Sequence, residues 1–150
     1  MSSFLKSLLL LALTNFACAV DSFRFEVKTI AEDFARPMGM DLGPDGSIYL
    51  IELQGKVSRI HPVTGVRTTL AEIKVFGDQE NGLLGIALDP NFETNQHLFL
   101  LYSPADFVGQ QISRFTLKGD SLTDEKKVIE WGTQRRECCH HGGMLKFGPD

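Results

Sequence analysis

The residues best suited to chemistry form one short run near the end of this 150-residue sequence. Two of the three cysteines, two of the four histidines and a pair of glycines are consecutive there: Cys138, Cys139, His140, His141, Gly142 and Gly143. Thiolate sulfur and imidazole nitrogen are good zinc or copper ligands. Neighbouring side chains of an extended chain point to opposite faces, however, so four consecutive residues cannot surround one ion. We therefore predict no metal site in this run.

An acid–base role suits the two histidines better. A neutral imidazole, with an ordinary pKa of about 6.5, can remove a proton from an alcohol near neutral pH. On residue type, His140 and His141 are both candidates for the general base, and a histidine packed between two sheets is the alternative. The glycines that follow would let a flat ligand or another backbone approach closely.

The two cysteines are more easily explained as structural residues. A catalytic thiolate and its imidazole normally meet across a fold, which argues against a hydrolase built on the neighbours Cys139 and His140. Cys138 and Cys139 could bond to each other, or each to a cysteine beyond residue 150. Adjacent Cα atoms are only about 3.8 Å apart, so a bond between neighbouring cysteines would be strained. The sequence leaves both pairings open.

A second polar stretch, residues 77–82, leads directly into an apolar segment. Between its two glycines lie Asp78, Gln79, Glu80 and Asn81, all able to hydrogen-bond a ligand. Like the histidine run, this stretch comes just before a segment that begins a repeating unit. Residues at the entry to such segments can converge on one pocket.

Charge and composition exclude several classes of function. The chain has 15 basic and 19 acidic residues, a net charge of −4 and no basic block. The electrostatic attraction that drives nucleic-acid binding and polybasic membrane binding is therefore missing. A hydrophobic content of 43% argues against a disordered chain. We expect no nucleic-acid partner.

The first 19 residues are typical of a secretory signal peptide. Lys6 provides the positive charge, residues 8–16 are mostly Leu and Ala, and Ala17-Cys18-Ala19 offers a small–x–small cleavage site. The apolar stretch is too short for a transmembrane helix, which needs about 20 residues. A lipoprotein acylated on Cys18 is the alternative. We predict a secreted or periplasmic protein with no transmembrane segment.

After a lead-in over residues 20–35, short β-prone runs alternate with turns rich in Gly, Pro and Asp. The predicted strands cover 38–42, 47–52, 56–61, 66–70, 83–88, 97–103, 111–117 and 127–130. Val57 and Ile60 can share a face only across a β-bulge. The regular spacing of strands and turns predicts an antiparallel all-β fold.

A weak internal repeat narrows the architecture further. Residues 39–45 (GMDLGPD) match residues 85–91 (GIALDPN), and residues 144–150 (MLKFGPD) match again. The shared prolines are 46 and 59 residues apart, near the period of a four-stranded β-propeller blade. Two such units and the start of a third cannot close a ring. We therefore expect an incomplete ring, the N-terminal fragment of a longer protein.

Together these motifs resemble one known family. Residues 36–46, 81–92 and 138–143 occur in the order found in the glucose/sorbosone dehydrogenases, the soluble pyrroloquinoline quinone (PQQ)-dependent sugar dehydrogenases and their relatives. The resemblance covers residues 36–150. It implies a six-bladed β-propeller, with this chain as its N-terminal blades and PQQ over the central channel. It also implies calcium as a cofactor, with ligands beyond residue 150.

The resemblance also implies a reaction and its residues. In this family a histidine takes the proton from the sugar C1 hydroxyl while hydride passes to the quinone. The family motif gives that role to His140, and Glu80, Asn81 and His140 fall at cofactor-binding positions. The implied activity is oxidation of a sugar or related alcohol, with electrons passing to an acceptor such as a cytochrome.

Two residues depart from the family pattern. Glu80 stands where characterised enzymes have Gln, and its carboxylate would repel those of the quinone unless it is protonated or bridged by Ca²⁺. Met144 stands where Arg is usual. Both departures favour the alternative function, a non-catalytic propeller that binds a carbohydrate or a protein. A calcium-dependent hydrolase is a third class, for which these blades offer only Glu80 and Asn81 as ligands.

Overall fold

The computed structural model describes residues 25–137 and 141–149, which form eight β-strands and one helical turn. The strands are grouped in two antiparallel sheets of four, each in chain order. The first sheet contains β1 (Pro37–Leu42), β2 (Ile48–Glu52), β3 (Lys56–Ile60) and β4 (Arg67–Glu72). The second contains β5 (Leu83–Leu88), β6 (His97–Tyr102), β7 (Gly109–Lys118) and β8 (Ser121–Gly132). The all-β prediction is confirmed.

All eight predicted strands occur, and two features differ from the prediction. Strand β8 is 12 residues long, although most of its side chains are exposed, because it pairs with β7 along nearly its whole length. A helical turn, α1 (Phe92–Asn95), lies between β5 and β6, where the sequence predicts only a turn. This turn buries Phe92 edge-on against the ring of Tyr49, with the centroids 5.3 Å apart.

Strand β3 is regular, because it pairs with β2 without a change of register. Strands β3 and β4 change register between Val57 and Ser58. The extra residue is Leu70 of β4, so Val57 and Ile60 lie on opposite faces of the sheet, and each is almost completely buried.

The internal repeat is visible in the backbone. Strands β1 and β2 change register between Pro37 and Gly39. Strands β5 and β6 do the same between Leu83 and Gly85, at the equivalent positions of the repeat. Each sheet therefore begins with a strand bulged at the same place, as expected for two copies of one structural unit.

The two sheets pack with their first strands side by side. Strand β5 lies against β1 and β2, β4 lies against β8, and all six residues of β5 are buried. One continuous apolar cluster, which includes Ile51, Leu83, Ile86, Leu98 and Leu100, fills the space between the sheets. Each such side chain contributes about 1.5–3 kcal/mol when it is fully buried. This core holds the start of β5 in a fixed place.

Residues 141–149 run alongside β5. Leu145 packs against the buried side chains of Leu84 and Leu101, and the rings of Phe147 and Phe99 meet edge-on. This segment includes the third copy of the repeat, which therefore lies next to the first strand of the second copy. It brings the end of the histidine run to the inner strands.

The N-terminal prediction falls outside the described residues. The proposed signal peptide, residues 1–19, and the first part of the lead-in belong to that portion. Within residues 25–137 and 141–149, no helix has the length and apolar character needed to cross a membrane.

Candidate functional site

The polar loop and the described end of the histidine run lie at one end of the sheets. Strands β1 and β5 begin at this end, and β2, β6 and β8 finish there. The polar loop, residues 77–82, leads into β5, and residues 133–141 follow β8. We call this end the mouth.

The polar loop meets His141 at the mouth. The backbone N–H of His141 donates a hydrogen bond to Glu80 Oε2, with an N···O distance of 3.4 Å. The Glu80 side chain lies in an exposed position, and His141 is half-buried. The predicted convergence of the two stretches is therefore seen between Glu80 and His141. Cys138, Cys139 and the predicted base His140 lie outside the described residues.

Asn81 is buried, whereas its neighbour Glu80 is exposed. The Asn81 side chain is fully buried; Oδ1 accepts from Ser103 Oγ at 3.1 Å, and Nδ2 donates to the carbonyl of Asp78 at 3.2 Å. Its backbone N–H donates to the same carbonyl at 3.0 Å. Asn81 shapes the loop from inside, and Glu80 lies on its outer side.

Gly82 joins the polar loop to β5 where two backbones meet. Its φ of 148° lies in the region that favours glycine, and a Cβ here would collide with the carbonyl of Leu53. That carbonyl accepts from the N–H of Leu83 at 2.8 Å, and the Gly82 carbonyl accepts from the N–H of Ser103 at 2.9 Å. The loop is thus attached to both sheets.

The His141 ring is held by a residue that the sequence analysis missed. Nε2 of Gln110 lies 3.2 Å from Nδ1 of His141, and Gln110 is buried at the start of β7. The other ring nitrogen, Nε2 of His141, is buried and has no hydrogen-bond partner among the described residues. No motif marks Gln110, because its role comes only from the pairing of distant segments.

Arg135 fixes the segment after β8, and it too was missed. Its Nη2 donates to the carbonyls of Pro104 at 2.7 Å and Phe107 at 2.5 Å. Its guanidinium carbon lies 4.1 Å from the centre of the Phe76 ring, a cation–π contact. Burial lowers the pKa of Arg135 from its ordinary value. Because its partners are carbonyls of a distant loop, the sequence carries no signal for them.

The close approach expected at the paired glycines occurs at Gly143. A Cβ on Gly143 would collide with the carbonyl of Leu84, and a Cβ on Gly85 would collide with the carbonyl of Gly143. A Cβ on Gly142 would meet nothing within 4 Å. Packing therefore requires glycine at position 143 but not at 142.

A cavity of about 230 Å³ lies between β1, β5 and the segment 141–149. Its lining is mostly apolar and includes Met38, Met40, Leu84, His141, Met144 and Lys146. Among the described residues, no group of three or more His, Cys, Asp or Glu side chains is placed to hold a metal ion. The chemistry available here is hydrogen bonding by His141 and the charge of Glu80.

Comparison with known families identifies the kind of protein that carries this site. The family model for glucose/sorbosone dehydrogenases matches residues 34–150. The chain belongs to the glucose/sorbosone dehydrogenase family. The match includes both the polar loop and the histidine run, in agreement with the resemblance carried by their motifs.

Of two curated relatives of this family member, one is named as a dehydrogenase and the other as an interacting protein. Quinoprotein glucose dehydrogenase B of Acinetobacter calcoaceticus is 31% identical over 141 residues, covering 86% of this chain and 30% of that protein. Human hedgehog-interacting protein is 26% identical over 148 residues, covering 84% of this chain and 21% of that protein. The chain thus spans about a third or less of the length of each.

Solved structures of sugar dehydrogenases share the fold. The PQQ-bound aldose sugar dehydrogenase of Streptomyces coelicolor superposes with a TM-score of 0.71 at 26% identity, over 82% of this chain and 38% of that one. A glucose dehydrogenase-type oxidoreductase of Thermus thermophilus gives 0.75 at 26% identity, over 83% and 38%. The predicted fold is confirmed: the chain forms N-terminal blades of a six-bladed β-propeller, an incomplete ring.

Proposed function

We propose that the protein is an exported, PQQ-dependent oxidoreductase that oxidises a sugar or related alcohol. The observation that carries this proposal is the hydrogen bond from the His141 backbone to Glu80. It brings the family's quinone-contacting loop next to the end of its histidine run, at the mouth of the inner strands. Membership of the glucose/sorbosone dehydrogenase family supports the same conclusion.

His140 is the general base of the proposed reaction. It would accept the proton of the anomeric hydroxyl, while the hydride on the same carbon leaves the sugar. PQQ, when bound, would supply the electrophilic carbonyl that accepts this hydride, and the electrons would pass on to an acceptor such as a cytochrome. The loop made rigid by Asn81 and the segment held by Arg135 would fix the base relative to the sugar.

The described residues fit the quinone on one condition. Nε2 of His141, which has no hydrogen-bond partner among the described residues, suits an acceptor-rich ligand, whereas the carboxylate of Glu80 would repel the quinone's carboxylates. A Ca²⁺ ion between them, or a proton on Glu80, removes that repulsion. We therefore propose that Glu80 contacts the cofactor through Ca²⁺, with the remaining calcium ligands outside residues 1–150.

Dye reduction by the full-length protein tests this proposal. Loaded with PQQ and Ca²⁺, the protein should reduce an electron-acceptor dye when an aldose is added, and His140→Ala should abolish the reaction. His61→Asn is the matched control: His61 is exposed in the turn after β3, at the opposite end from the mouth, and its Nδ1 accepts backbone hydrogen bonds that Asn can replace. Full activity in His140→Ala would contradict the role of the base.

A second candidate function follows from the two residues that differ from the family's motifs. Glu80 and Met144 occupy the family's Gln and Arg positions, and Met144 is 86% exposed in the structure. The similarity to hedgehog-interacting protein suggests a propeller that binds a carbohydrate or a protein without catalysis. Absence of PQQ binding at micromolar cofactor, with the fold intact by circular dichroism, would favour this function.

Export is proposed from residues 1–19 alone. Cleavage after Ala19 would leave Val20 as the first residue of the mature protein. N-terminal sequencing of the protein recovered outside the cytoplasm should find Val20, and a retained leader would contradict the proposal.

A further inference from the structure

The proposed function names no ligand atom that binds one nitrogen of the His141 ring. Nε2 is buried without a hydrogen-bond partner in the described parts of the chain. Nδ1 lies 3.2 Å from Nε2 of Gln110, and the backbone N–H of His141 donates a hydrogen bond to Glu80 Oε2 at 3.4 Å. His141 is therefore held at Nδ1 and at its backbone N–H, and Nε2 is the polar group that lacks a partner among the described residues.

The partner of Nδ1 determines where the ring proton sits. An amide NH₂ group can only donate, so Nδ1 of the neutral imidazole must accept, and the single ring proton lies on Nε2. Gln110 is only 6% exposed and stands on β7, which is paired on both sides, by β6 and by β8. The donor that fixes the tautomer is thus part of the most extensively paired region of the sheet.

A buried N–H without an acceptor is unfavourable and is rare in folded proteins. The side chains that line the cavity beside His141 do not supply an acceptor. Met38, Met40 and Met144 have only thioether sulfur, a weak acceptor. A ligand oxygen would provide the missing partner.

We propose that His141 donates a hydrogen bond from Nε2 to an acceptor oxygen of the bound ligand, and that Gln110 is the positioning residue that keeps the proton there. This inference rests on the proposed function, whose two ligands, the quinone and the sugar, both present such oxygens. The two neighbouring histidines then have different tasks. His140 accepts a proton from the substrate, and His141 donates a hydrogen bond that holds the ligand.

The tautomer can be measured directly. Long-range ¹H–¹⁵N correlation spectra of the full-length protein, labelled at histidine, distinguish a protonated Nε2 from a protonated Nδ1. We expect the Nε2–H form in the wild type. In Gln110→Glu a carboxylate acceptor replaces the amide donor, and a proton should appear on Nδ1. A wild-type ring protonated on Nδ1 would overturn the proposal.

Binding measurements identify the ligand oxygen. His141→Gln keeps an N–H donor, whereas His141→Phe keeps only a ring. If the quinone provides the oxygen, the Phe variant should bind PQQ about tenfold more weakly, the effect of one hydrogen bond. If the sugar provides it, PQQ affinity should be unchanged and KM for the aldose about tenfold higher. In both cases the Gln variant should recover most of the loss.

The possible failures are distinguishable. Unchanged PQQ affinity and unchanged KM in His141→Phe would show that His141 binds neither ligand, although the protein remains a dehydrogenase. A wild-type protein that neither binds PQQ nor oxidises an aldose would refute the proposed function and the ligand contact together. The tautomer spectrum would still decide the part assigned to Gln110, because it needs no ligand.

Discussion

Asn81 and Glu80 show how single residues of one loop divide between structure and chemistry. Asn81 is fully buried and bonded to Ser103 and Asp78, so it fixes the loop backbone. Glu80 lies in an exposed position and meets the backbone of His141. The position of the carboxylate at the mouth therefore depends on the buried amide next to it.

Replacing Asn81 by Ala should lower the free energy of unfolding by about 1–3 kcal/mol, because the buried hydroxyl of Ser103 loses its partner. Urea unfolding of the full-length protein measures the effect. Asn91→Ala is the matched control, since Asn91 is exposed at the start of α1 and makes no capping hydrogen bond through its side chain. A similar loss in both variants would contradict the structural role of Asn81.

At this scale the sequence predicts some contacts and not others. Glu80 and the histidine run each precede a copy of the repeat, so their meeting could be expected from the repeat alone. Gln110 and Arg135 could not be predicted. Their partners, the ring of His141 and the carbonyls of Pro104 and Phe107, are brought close only by the completed sheets.

At the scale of elements, the inner strands position the site. Strands β1 and β5 carry equivalent bulges, and Asp41 of β1 accepts a hydrogen bond from the N–H of Leu88 at 2.9 Å. The segment 141–149 comes close enough to β5 for the backbones at Gly85 and Gly143 to touch. The end of the histidine run is therefore set by backbone packing against a fully buried strand.

Gly143→Ala tests this packing. Its Cβ would meet the carbonyl of Leu84, and the segment must shift away from β5 to relieve the collision. We expect a loss of about 1–3 kcal/mol of stability and a lower thermal midpoint. Gly142→Ala adds the same methyl group where nothing lies within 4 Å, so its midpoint should stay near that of the wild type. Equal midpoints for the two variants would contradict the close approach.

The strands were predictable because turn residues separate the β-prone runs at regular intervals. The extent of β8 was not, since its length comes from backbone pairing with β7 and its exposed side chains carry no apolar pattern. The turn α1 was also missed. Asp89-Pro90-Asn91 is typical of a tight turn, and the helical residues after it are fixed by the burial of Phe92 against Tyr49.

For the whole molecule, two blades form an incomplete ring. The side chains of Met38, Met40 and Leu42 on β1 are exposed in this chain, although the equivalent strand β5 is buried by its neighbours on both sides. The mouth is likewise built here from only the residues of the first blades. The proposed chemistry belongs to the complete ring, in which the remaining blades would supply the other groups that contact PQQ and Ca²⁺.

Equilibrium titration of the full-length protein with PQQ, with Ca²⁺ and after its chelation, tests the quinone site at the mouth most directly. We expect saturable binding that requires Ca²⁺ in the wild type and depends less on Ca²⁺ in Glu80→Gln, because the amide removes the repulsion between carboxylates. If neither protein shows saturable PQQ binding while both remain folded, the mouth at Glu80 and His141 is not a quinone site.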